Sequence, residues 1–368
     1  MRIYNNKNFN AVIRIFVFII LFLFMFKYLT YLMKPPLVDV DIISGFYSEE
    51  ENSLDMVYIG GSASFVYYAP LRAWEQNGIS SYNYGNNTIQ LDVYKYMIKE
   101  VLKTQKPKLI VLDARALEYR DTDMKPNEIY YRNTLMGMPF SKNKIEFIND
   151  VIGKFIEKEK LAENSSSAEP NLFSYYFDII KFHSSVANSS FVKAFKMMNN
   201  KYEHPFKGFY FVPKWEIQKK ENYKTENIVL PSKETESIFN DLLDYLDTIE
   251  NTEFLFIVSP FIQTSNRKER LNYFENVIVE RGHNFMDAND YTEEMKLDYS
   301  KDLYNESHIN IFGAEKYTDF LVDYMKENYN LPDHRNEKEY SSWDDLLPAW
   351  NAKVESTKNH IEKLMEAE

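Results

Sequence analysis

Apolar residues run almost unbroken from Ala11 to Met33, AVIRIFVFIILFLFMFKYLTYLM, with Arg14 and Lys27 the only charges. At ~1.5 Å of rise per residue, a helix of this length crosses a hydrocarbon core of roughly 30 Å. Arg14 lies near one end, and Lys27 reaches outward past Tyr28 and Leu29, so both can snorkel. No small-residue cleavage site follows, only the bulky YLMKPP, which favours an uncleaved anchor over a signal peptide. Arg2, Lys7 and Arg14 precede the apolar centre, while Lys27 and Lys34 follow it. That bias places the N-terminus in the cytoplasm and the body outside. Pro35 and Pro36 end the helix and begin a short stalk, so residues 1–36 form a tip and a membrane anchor.

Beyond the stalk the rhythm changes to short apolar runs separated by helical stretches. Asp55–Ile59, Ser80–Tyr84, Leu109–Asp113, Phe254–Ser259 and Asn284–Ala288 read as strands. Leu91, Tyr94, Ile98, Val101 and Leu102 recur at helical spacing before Pro107, and 267–281 look helical up to Gly282. The segment 313–328 sets Ala314, Tyr317, Phe320, Leu321 and Tyr324 on one face. Buried strands alternating with helices predict an α/β domain over 37–330, with a parallel sheet covered on both faces. From about 120 to 230 the alternation breaks. That stretch reads as a helical or irregular insertion packed over the sheet edge, either a lid or a decoration. Residues 331–368 form a charged tail whose Trp343, Leu346, Leu347 and Trp350 predict a helix docked on the body or on a partner.

Composition narrows the function. The 368-residue chain carries a formal net charge of -12, which argues against nucleic acid as a partner because no basic footprint exists to neutralise phosphates. There is no cysteine, hence no disulfide, thiolate nucleophile or thiolate metal site. No H-E-x-x-H, clustered ligand pattern or G-x-x-x-x-G-K-[ST] loop occurs, so neither a metal nor a cofactor is expected. With 28 Tyr and 27 Phe, the aromatic content suits a large core or a binding groove.

Ser62 stands out because it follows the first strand and Gly60–Gly61, at the strand's carboxyl end, where α/β sheets build their sites. A serine nucleophile requires a base. Of six histidines, His183 and His204 fall in the insertion and His334 and His360 in the tail, while His283 follows a helix-ending glycine as a C-terminal cap. His308, in the polar loop before the last helix of the body, is the candidate that remains.

These two blocks carry a resemblance. VYIGGSASFVYYAP, with Pro70 eight residues after Ser62, resembles the first block of the membrane-anchored bacterial branch of the SGNH/GDSL hydrolase superfamily. YNESHINIFGAEKYT resembles its last block, where D-x-x-H precedes a helix opening with Gly-Ala. SYNYGNN, KPKLIVLDAR and RNTLMGMPFSKNKIEFI are similar to intervening parts, so the resemblance covers most of residues 50–330. It implies a three-layer, flavodoxin-like parallel sheet and a Ser–His acyl-enzyme mechanism. Related proteins transfer D-alanine to teichoic acid or acetylate alginate. The implied function is therefore an extracytoplasmic esterase or O-acyltransferase acting on acyl esters of cell-envelope glycan or teichoic acid, beside the bilayer and a membrane-bound O-acyltransferase. A non-catalytic binding or scaffolding partner of that acyltransferase is the competing expectation.

The chain departs from the family pattern at three places. Asn305 occupies the position of the Asp that supports the histidine. Three outcomes stay open: Asn305 orients His308, Glu306 or Asp302 supplies a carboxylate, or the enzyme is weak or dead. The oxyanion donors are also altered. Gly61, Gly85 and Asn87 are the candidate N–H donors, but Thr88 stands where relatives place a glycine. Asp113 and Arg115 replace the usual Gly-x-Asn after the third strand. Arg115 is a candidate donor to an oxyanion or an anionic substrate, or else a salt-bridge partner of a nearby carboxylate.

Overall fold

The computed structural model describes residues 6–118, 127–161, 171–183 and 190–368. Five strands, β1 (Met56–Gly60), β2 (Ser81–Gly85), β3 (Leu109–Asp113), β4 (Glu253–Val258) and β5 (Asn284–Asp287), begin and end within one residue of the expected runs. They form one parallel sheet in the order β2-β1-β3-β4-β5. Every residue of β1, β2 and β3 is buried, as happens when both faces of a parallel sheet are covered. Tyr58 and Tyr84 show the two sides. Tyr84 pairs with Ile59, the neighbour of Tyr58, so their side chains leave opposite faces. Tyr58 hydrogen-bonds Tyr317 of helix Ile311–Asn328 (3.1 Å). Tyr84 bonds Tyr47 (2.8 Å), which donates to Glu100 of helix Tyr94–Thr104 (2.9 Å).

The order reverses beside β1. The chain steps out to β2 and returns past β1 to β3, so the carboxyl ends of β1 and β3 flank the switch point where doubly wound sheets bind ligands. At the β2 edge the Asn83 N–H donates to the Lys207 carbonyl (3.1 Å). The chain therefore covers an edge that would otherwise offer free donors. Gly208 is needed in that contact. Its φ is +83° and a Cβ would lie 2.3 Å from the Asn83 carbonyl oxygen.

The connection from β3 to β4 includes helices Glu128–Gly137, Lys142–Phe147, Gly153–Leu161, Phe191–Met198 and Lys233–Leu246, and a stretch without helix or strand from 201 to 232. The ENSSSAEP loop and the start of the expected insertion fall outside the described residues. The C-terminal segment packs on the body. Trp350 of helix Leu347–Ala367 meets Phe211 and Phe209 (ring centroids 5.0 and 5.2 Å), Trp343 meets Trp74 (5.2 Å), and Lys358 pairs with Glu315 (2.5 Å).

At the other end, helix Asn6–Leu32 contains a span, Phe9–Leu32, long and apolar enough to cross a membrane. The expected stalk is absent. Helix Val38–Phe46 starts directly after the prolines and buries Val40, Ile42, Ile43 and Phe46. The stripe at 40, 43 and 46 has helical spacing, and helix Glu128–Gly137 packs so closely on it that a Cβ at Gly137 would come within 2.4 Å of Ile43 Cβ. Lys34 is buried too, donating to the Met136 carbonyl (2.6 Å) and pairing with Asp178 (3.4 Å).

Candidate active site

Ser62 opens the short helix Ser62–Tyr67 directly after β1 and Gly61. The two glycines are not there for an unusual backbone angle, since Gly61 has an ordinary extended φ of -75°. At Gly60 the requirement is space, because a Cβ would stand 2.3 Å from the Asp113 Cβ at the end of β3. His308 arrives from the opposite end of the chain on a small antiparallel ribbon, β6 (Leu303–Asn305) and β7 (His308–Ile309), which carries a register shift between Leu303 and Asn305. Ser62 Oγ lies 2.6 Å from His308 Nε2.

The remaining bonds fix the tautomer. Asn305 Oδ1 accepts from the Ser307 N–H (2.8 Å) and faces His308 Nδ1 at 3.1 Å. A backbone N–H can only donate, so the Asn305 atom it meets is the carbonyl oxygen. That oxygen can only accept, so Nδ1 carries the proton and Nε2 is left to accept from the Ser62 hydroxyl. The Tyr304 ring stacks on the imidazole (centroids 5.2 Å, 9° between planes). The Ser307 carbonyl, one residue before His308, accepts from Arg115 Nη1 (2.8 Å) and Tyr67 Oη (2.9 Å).

Neither neighbouring carboxylate takes the third position. Asp302 is buried and accepts from Lys316 Nζ (2.6 Å) and the Asp298 N–H (2.7 Å). Glu306 is exposed, and its backbone carbonyl accepts from the Ile262 N–H (2.8 Å).

The expected oxyanion donors are turned into the fold. The Gly61 N–H donates to Asp113 Oδ2 (3.2 Å), and the Asn87 N–H donates to Asp39 Oδ1 (3.2 Å). Ser62's own N–H donates to the Asn87 carbonyl (3.2 Å). Gly85 is a packing glycine: it pairs with Gly60, and a Cβ there would lie 2.4 Å from Ser64 Oγ. Arg115, besides holding Ser307, stands over the Phe261 ring (4.4 Å) with Nε 3.5 Å from Glu118. Its neighbour is thus the kind of carboxyl expected as the alternative to a donor role, although burial favours the neutral form of Glu118.

Burial, seconded by the Arg115 cation, pushes His308 down to about 3, so its imidazole is neutral near pH 7. Burial raises Asp113, opposed by Arg115 and by the N–H donors of Arg115 and Gly61. Glu118 is driven up to about 8 by burial, against the pull of Arg115 and Arg267. Asp39 is raised by burial, opposed by Asn133 and Asn87.

Three side chains that shape the site escaped the sequence reading. Tyr304 adjoins Asn305, and its aromatic character beside a candidate histidine was a usable signal. Tyr67 and Asp39 offered none, since their partners lie far off in the chain. No group of three or more metal-ligating side chains is gathered among the described residues. The chain matches no family model, and no curated protein matches it.

Proposed function

We propose that the protein is a membrane-anchored serine ester hydrolase or O-acyltransferase of SGNH type, its body outside the cell and its substrates the acyl esters of envelope glycan or teichoic acid. The supporting observation is the 2.6 Å Ser62–His308 contact at the switch point of a doubly wound sheet, with the histidine held in the tautomer that can accept the hydroxyl proton. In this reading Ser62 Oγ attacks the ester carbonyl as His308 Nε2 takes its proton, and the same nitrogen returns the proton to the departing alkoxide. The acyl group then passes from Ser62 to water or to a sugar hydroxyl. The Ala63 N–H, next in the chain after the nucleophile, has no acceptor among the described residues and is our candidate oxyanion donor.

A second reading, a non-catalytic SGNH-like partner of a membrane acyltransferase, is favoured by one observation. The N–H groups of Gly61, Ser62 and Asn87 are already engaged. A fluorophosphonate probe on the full chain in detergent separates the two. Labelling should drop on the order of 10³-fold or more in both Ser62→Ala and His308→Ala. A folded wild-type chain that does not label sinks the enzyme reading.

A further inference from the structure

The body exposes large apolar side chains beside the foot of the membrane helix. Phe191 is 70% exposed, Phe173 66% and Phe140 61%, with Phe177, Val192 and Phe195 also open. These residues come from separate segments of the β3–β4 connection, and contacts of Phe177, Phe140 and Phe191 lead to one level of the long helix. Phe26 meets Phe177 edge-on (5.7 Å), Phe177 stacks on Phe140 (6.4 Å), and Tyr28 Oη donates to the Phe191 carbonyl (3.4 Å).

That level is informative. The helix is exposed all round from Phe9 to Met25 and becomes partly covered at Phe26. A run from Phe9 to Met25 measures roughly 26 Å at ~1.5 Å per residue, close to the thickness of a hydrocarbon core. Phe177 and Phe191 therefore sit where hydrocarbon gives way to headgroups. Helix Phe191–Met198 is divided accordingly: Ala194, Met197 and Met198 are buried, Phe191, Val192 and Phe195 point outward, and Lys196 is exposed beside them. Apolar anchors with flanking lysines are the pattern of a helix lying in the membrane interface. The body cannot swivel away on a tether, because Lys34 is buried against Met136 and Asp178 directly after the span.

We propose that Phe140, Phe173, Phe177, Phe191, Val192 and Phe195 form an apolar collar that enters the interfacial layer of the lipid bilayer and seats the body on the membrane in a fixed orientation. Continuity with the spanning helix selects lipid as the occupant. The absence of native cysteine makes single-cysteine labelling of the full chain clean. In vesicles of phosphatidylcholine and phosphatidylglycerol, a polarity-sensitive dye at Phe173→Cys or Phe191→Cys should shift to the blue. Shallow nitroxide lipids should quench it by half or more. Dye at Glu362→Cys on the C-terminal helix should show neither effect, and dye at Phe22→Cys should be quenched, which verifies insertion of the helix. If Phe22→Cys is quenched while Phe173→Cys and Phe191→Cys behave like Glu362→Cys, the collar does not touch lipid and the proposal is overturned. Protection of those positions only when a second membrane protein is added overturns it equally, assigning the face to that protein.

Discussion

Ser62 and His308 reach the same point from unlike surroundings. Ser62 follows a buried parallel strand, and the turn around it is held by backbone donors that find carboxylates: Gly61 on Asp113, and Asn87, which receives the Ser62 N–H, on Asp39. His308 rides a ribbon of a few residues and is held by uncharged groups, the Asn305 amide and the Tyr304 ring, with the Arg115 guanidinium clamping the carbonyl before it. Carboxyl groups thus back the Ser62 turn, and a guanidinium lies beside the proposed base, His308. The usual Ser–His–Asp arrangement does the reverse, placing the carboxylate behind the imidazole to stabilise the imidazolium. Position and electrostatics are separable here: the geometry for proton transfer is complete, while the field opposes protonation of His308.

The comparison breaks most visibly at Asn305. In serine proteases, Asn for the triad Asp costs about 10⁴-fold because it stabilises the wrong tautomer. Here the Ser307 N–H turns the amide oxygen toward Nδ1, so the tautomer is the working one. Asn305→Leu removes that acceptor from two donors at once and should slow fluorophosphonate labelling on the order of 10²-fold. Circular dichroism should show the fold retained. A rate within two-fold of wild type would mean that Asn305 does not orient the base.

Asn305→Asp tests the field. Asn305 Oδ1 accepts in both of its bonds, so a carboxylate can keep them while adding the missing charge. His308 now sits near 3; since only the neutral imidazole accepts the serine proton, the acid limb of wild-type labelling should lie well below pH 6. With aspartate the charged form gains a partner and the folded-state pKa rises, so the acid limb should move to higher pH. The plateau rate should rise about ten-fold as the base strengthens. A limb that stays in place shows that the carboxylate is not felt at the ring.

Arg115→Met should move the limb the same way by less, because burial and not Arg115 is the larger cause of the depression. The Ser307 carbonyl keeps its bond from Tyr67, so the plateau should fall only a few-fold. A fall in rate without movement of the limb would give Arg115 a purely structural role.

What the sequence revealed follows the range of the interactions. Strands β1 to β5 were legible because a strand buried on both faces must be a continuous apolar run, whatever packs on it. The meeting of Ser62 and His308 could be anticipated because each follows a local signal, a strand into Gly-Gly and a polar loop before an apolar helix. That the N–H groups of Gly61 and Asn87 are engaged was not legible, because their acceptors, Asp113 and Asp39, lie 52 and 48 residues away. The stalk was misjudged because Pro35–Pro36 looks like a tether on its own. Only the partners of Val40, Ile43 and Lys34, in a distant helix, make that segment part of the core.

Asp39→Asn is the mildest test and the one that separates the two halves most cleanly. Asp39 is buried in the helix that follows the long apolar one, accepts from Asn133 Nδ2 (2.8 Å) and the Asn87 N–H (3.2 Å), and reaches Ser62 only through the Asn87 carbonyl. Those donors meet different oxygens, so an asparagine keeps an acceptor for one of them and sets its NH2 group beside the other, and the turn should loosen without collapsing. Because Asp39 acts on the nucleophile and not on the imidazole, labelling should slow a few-fold while the acid limb stays where it is in wild type. Movement of the limb would mean that the two halves share one electrostatic network. An unchanged rate would mean that the sheet end and Asp113 hold Ser62 unaided, leaving the Asp39 carboxylate with a role in folding alone.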